Sequence, residues 1–136
     1  MRGRFWRSSE AEGGGGGEPA IAADALGRLR ELAGDDSGAF LIDLFEEFFT
    51  TSRELVDEIK ANQRSADLDA LKKSSHTLKG AALNLGANVL AAICKEGELA
   101  AKQSRDPGAA WVARIEGEFA RVREAFESDV RARLSA

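Results

Sequence analysis

The chain has 136 residues, 43% hydrophobic and 31% charged, enough to bury one core without metals or disulfides and ordinary for a soluble domain. Its net charge of −4 gives no bias toward nucleic acid or an anionic membrane, and no run of 18 apolar residues offers a membrane span. A single cysteine, Cys94, excludes an internal disulfide and fits a reducing compartment.

Residues 1–19 read as a flexible tail ahead of one domain over 20–136. Their opening, MRGRFWRSSE, lacks the apolar segment of a secretory signal. The expected location is therefore cytoplasmic, with nuclear access in a eukaryotic cell. Gly13 to Gly17 form an unbroken glycine run that nucleates neither helix nor strand. Arg2, Arg4, Phe5, Trp6 and Arg7 make a short basic-aromatic cluster, read here as plain tail.

From Ala20 onward the apolar spacing is helical, with no strand-like alternation. A short first helix is expected from Asp24, as N-cap, to Ala33, with Gly34 as its stop and Leu26, Leu29 and Leu32 on its buried side. The second, from Ser37 to about Asn62, carries the stripe Leu41, Leu44, Phe45, Phe48, Ser52, Leu55, Val56 and Ile59. The third starts near Ser65 and places Leu68, Leu71, Ser75, Leu78, Ala82 and Leu85 on one narrow seam, ending at Gly86. The fourth follows from Ala87, with Leu90, Ile93, Cys94, Gly97 and Ala101 inward, and stops before Pro107. The last spans Gly108 to Leu134 on Trp111, Ile115, Phe119, Val122, Phe126 and Val130. Short connections make neighbours antiparallel. The fold class is all-α: an antiparallel four-helix bundle with a short additional N-terminal helix, expected as a monomer.

The one histidine, His76, lies at the flank of the third helix's seam. It shares a mostly polar face with Asp69, Lys72, Lys73, Lys79, Gly80 and Leu83. Taken alone, a helical histidine there is an idle surface residue. Its neighbours argue otherwise: Lys72, Lys73 and Lys79 surround it with positive charge. Gly80, one turn on, costs about 1 kcal/mol relative to alanine in a helix interior, yet leaves the adjacent surface bare. An exposed nucleophile, a cationic surround and a cleared approach suit a phosphoryl group on the ring. Metal binding lacks further ligands at helical spacing. Hydrolase chemistry lacks a nucleophile elbow, and ATP-dependent kinase chemistry lacks a GxxxxGK loop.

His76-Thr77-Leu78-Lys79-Gly80-Ala81-Ala82 followed by Leu85-Gly86 resembles the signature H-x-L-K-G-[SA]-[SA] of histidine-containing phosphotransfer (HPt) domains. The stretches Leu26 to Ile59 and LAAICKEGELAAK resemble the helices on either side, so the resemblance covers about 115 of the 136 residues. It implies that His76 accepts and donates the phosphoryl group, that Lys79 neutralises it, and that Gly80 gives the partner room. In relatives a carboxylate or amide 22 positions after the histidine bonds the ring; here that position is Glu98, otherwise an ordinary solvated glutamate. Lys102 adds charge by the same comparison. Gly97 departs from the large apolar residue expected there and puts local packing in question. Lys72, Lys73, Leu83 and Lys102 are the expected partner-binding residues. Of the other outlying apolar residues, Phe40, Ile42 and Phe49, the last two are assigned to a wider core.

The resemblance implies a phosphohistidine carrier without kinase activity of its own. It would relay phosphate between response-regulator receiver domains, supplied by a sensor or hybrid histidine kinase. No cofactor of its own is implied, and Mg²⁺ is expected in the receiver. Two alternatives are a phosphoacceptor module within a larger kinase and an unphosphorylated adaptor that binds receivers.

Overall fold

A computed structural model describes residues 18–34 and 37–131. The tail expected over 1–19 lies outside the described residues up to position 17, as do Leu134 and the side chain of Val130.

Five helices follow in order: α1 (Ala23–Ala33), α2 (Ser37–Arg64), α3 (Leu68–Asn84), α4 (Asn88–Lys102) and α5 (Ala109–Ala125). The last continues as a π-helical stretch, Phe126–Arg131. No strand occurs among the described residues. The central helix α3 packs on α2 and α4, and α5 closes the bundle against α2 and α4. The inward stripes meet as the spacing requires: Leu41, Phe45, Val56 and Ile59 of α2, Leu71 and Leu78 of α3, Leu90 of α4 and Ile115 of α5 are all fully buried. Burying each such side chain contributes about 1.5–3 kcal/mol.

Two elements begin later or earlier than the sequence suggests. The first turn of α3 opens at Leu68, not Ser65, because Ala66 takes a left-handed φ of 57° and Asp67 caps the helix by accepting from the Ala70 N–H at 3.1 Å. α1 is preceded by Ala22 as N-cap, while Asp24 sits in the first turn and pairs with Arg28 at 3.2 Å.

The burial of α1 also differs from expectation. Leu32 is 81% exposed, whereas Ala20, Ile21 and Ala25 are buried, with Leu26 and Leu29 half-buried. The helix docks by its beginning: the Ala22 N–H donates to Gly86 O at 2.9 Å. At Gly86, where φ is +79°, an added Cβ would lie 2.3 Å from that of Ala25. Glycine there both turns the chain out of α3 and lets α1 approach.

The core is wider on α2 than its central stripe. Phe49 is buried and Ile42 half-buried, as assigned, while Phe40 remains 45% exposed. Phe49 joins Phe45, Phe48, Phe119 and Phe126 in an aromatic cluster whose tightest pair, Phe45 and Phe126, stacks at 5.0 Å. This holds α5 on α2 and leaves the outer face of α3 uncovered.

Candidate functional site

His76 sits midway along α3, one residue after the fully buried Ser75, and its side chain is 67% exposed. α4 runs alongside and presents Glu98 to it. Glu98 Oε2 is 2.9 Å from His76 Nδ1, and Oε1 is 2.8 Å from Lys79 Nζ. One carboxylate thus bridges the ring and the lysine. Partial burial pushes its pKa up, but the hydrogen bonds from Lys79 and His76 outweigh that and hold it below the usual glutamate value. Ionised, it only accepts hydrogen bonds, so the neutral imidazole must carry its proton on Nδ1. The lone pair then falls on Nε2, which has no partner among the described residues.

Lys79 lies differently from expectation. The side chain turns inward onto Glu98 and is only 23% exposed, so it is tied to the carboxylate instead of standing open beside the ring. The cations that face the open groove are others. Lys72, Lys73 and Lys102 line it together with His76, Thr77 and Glu98, around a volume of about 360 Å³. None of the three lysines has an acidic partner within 4 Å among the described residues. Thr77 enters this lining unforeseen; its hydroxyl donates back to Lys73 O at 3.0 Å, and a threonine inside a helix gives no sequence signal.

One turn along the same face, Gly80 has no heavy atom, outside its chain neighbours and its own helix backbone, within 4 Å of where its Cβ would stand. No packing inside the molecule therefore asks for glycine here. Beyond it Leu83 is 51% exposed. The structure brings seven of the eight expected residues onto the face around His76. Leu83 continues that face two turns away, at the α1 end.

Gly97 has an explanation that the sequence alone did not supply. The indole of Trp111, from α5, occupies the space of the absent side chain: a Cβ at Gly97 would fall 2.0 Å from its ring. Trp111 is buried, and its Nε1–H donates to Ile93 O at 2.8 Å. The bulk expected on α4 comes from the facing helix instead. An unfilled glycine and an inward tryptophan on adjacent helices were the available signal.

Residues 43–125 match the family model described as Hpt domain. The chain belongs to the Hpt domain family. The crystal structure of histidine-containing phosphotransfer protein B (HptB) from Pseudomonas aeruginosa PAO1 is similar to it at 32% identity. That match has a TM-score of 0.73 and covers 85% of this chain and 97% of that one. No curated protein matches the chain. As an Hpt domain it has a histidine phosphotransfer role in phosphorelay signalling, that of a phosphotransfer carrier working with two-component receivers and kinases. No helix among the described residues is long and apolar enough to cross a membrane.

Proposed function

We propose that His76 is the phosphorylated residue and that it relays phosphate between two receiver domains. The observation that carries this reading is the exposed imidazole held through Nδ1 by Glu98, with Nε2 unpartnered among the described residues and a bare Gly80 one turn along the same helix face. Nε2 attacks the phosphorus of an aspartyl phosphate in the receiver. A new N–P bond forms, the acyl P–O bond breaks, and the aspartate leaves as a carboxylate. The Nδ1 proton stays on the ring, and the Glu98 carboxylate stabilises the positive charge that the ring acquires. The reverse reaction charges the second receiver.

Positioning and charge neutralisation supply most of the catalysis in phosphoryl transfer. The receiver brings Mg²⁺ and most of the catalytic groups. This chain brings the nucleophile, the open lysines Lys72, Lys73 and Lys102, and Leu83 as an apolar contact for the receiver. Lys79 is bound to Glu98 before transfer and is close enough in sequence, at one turn, to turn toward the phosphate afterwards.

The test is incubation with a phosphorylated receiver domain and Mg²⁺. Phosphate is expected on the wild type and absent from His76→Gln, in an acid-labile, base-stable form. Tight receiver binding with no transfer, across several receivers, would make the chain an adaptor and overturn this reading.

A further inference from the structure

The turn of α4 that carries Glu98 is gripped from the far side by α5. Gly97 leaves a gap that the Trp111 ring fills to contact, and the Trp111 Nε1–H adds a second acceptor role to Ile93 O, the carbonyl one turn before Gly97. A bidentate pair, Arg114 to Glu96 at 2.6 and 3.0 Å, lies on the same seam, but both side chains are about half exposed, so it holds the turn weakly. The ring contact and the buried hydrogen bond are the firm constraints.

We infer that Trp111 is a positioning residue for His76, acting through the α4 turn that aims Glu98 at the imidazole. The inference rests on the reading of His76 as phosphoacceptor. Gly97 and Glu98 are adjacent, so they point about 100° apart around the helix axis, one into α5 and the other along α3. A roll of α4 about its axis therefore moves Glu98 sideways across the ring. The carboxylate stands about 6 Å from the axis, near the outer radius of a helix with side chains. A roll of roughly 20° displaces it by about 2 Å, which for a sideways shift stretches the 2.9 Å hydrogen bond to about 3.6 Å, past useful length. Trp111 blocks the roll because its ring is seated directly on the Gly97 backbone. Removing the ring frees the rotation without touching any residue of the groove. His76 then loses the partner that keeps its proton on Nδ1, and Nε2 carries the lone pair only part of the time.

The experiment compares the full chain with Trp111→Phe, Trp111→Ala and the exchange Gly97→Leu with Trp111→Ala. Two readouts are taken: imidazole ¹⁵N shifts of the unphosphorylated protein, and the initial rate of transfer from a phosphorylated receiver. The wild type is expected to show one tautomer, protonated on Nδ1. Trp111→Ala is expected to show a mixture and to transfer about tenfold more slowly, with Trp111→Phe intermediate. The exchange returns bulk to the seam from α4 and is expected to restore both. If the tryptophan variants lose stability but keep the tautomer and the rate, Trp111 is only core filling and the inference is overturned. Should Trp111→Ala fail to fold, Trp111→Phe decides by the same criteria. A wild type that accepts no phosphate refutes the carrier reading, while the tautomer comparison still decides the role of Trp111.

Discussion

Replacing Gly80 by alanine should make the protein more stable and a poorer phosphate acceptor. Outside the helix's own backbone and the residues next to Gly80, no heavy atom lies within 4 Å of the added methyl, and the position is inside α3, so nothing offsets the gain in helix propensity and the reduced freedom of the unfolded chain. The expected stabilisation is about 1 kcal/mol, a rise in Tm of about 4 °C for a domain of this size. The methyl also stands on the face of His76, where the receiver's aspartyl phosphate must come within about 3.5 Å of Nε2. Holding the receiver off by even about 1 Å is expected to slow transfer by ten- to roughly a hundredfold. Thermal unfolding and the initial rate of transfer, measured on the same preparation, check both parts. A lower Tm would mean that Gly80 serves some packing role. An unchanged rate, extending to Gly80→Leu, would refute the argument that the glycine clears the approach.

Other expectations follow from the same geometry. Gly97→Ala should destabilise by about 1–3 kcal/mol through overpacking, since its Cβ would meet the Trp111 ring at 2.0 Å; an unchanged denaturation midpoint would contradict that packing. Glu98 has a folded-state pKa below the ordinary 4.5, so it stabilises the fold above that value and loses this contribution as pH falls through the lowered one. The stability difference between wild type and Glu98→Gln should shrink on going from pH 7 to pH 3, and a pH-independent difference would sink the claim. Burial, reinforced by the charge of Glu98, pushes the Cys94 thiol to about 12, so it should resist thiol reagents at pH 8 until the protein unfolds; rapid labelling of the native chain would disprove this. Leu83→Asp should weaken receiver binding about tenfold and leave stability within about 0.5 kcal/mol, as titration calorimetry and denaturant unfolding would show.

The helical stripes carried most of the fold. Among the described residues, α2 to α5 bury, wholly or in part, those their spacing selects, because a 3.6-residue period and a buried face are the same constraint. α1 escaped this logic: Leu26, Leu29 and Leu32 repeat as a buried stripe would, yet the helix is held at its start through Ala25 and Gly86, a close approach between small residues that hydropathy does not register. The site divides in the same way. His76, Gly80 and Glu98 were legible because each breaks a local rule or matches a spaced motif. The inward turn of Lys79 was not, since a lysine beside a histidine and a glutamate can satisfy either neighbour, and only the bundle's geometry decides. Trp111 was hidden by its ordinary appearance as a core aromatic.

The central claim is that Nε2 of His76 carries the phosphate, and the most direct measurement is ³¹P and ¹⁵N NMR of the isotopically labelled protein after phosphorylation by a receiver. The account predicts phosphorus coupled to Nε2, with the proton still on Nδ1 beside Glu98. Phosphorus on Nδ1, or on any other residue, would contradict it.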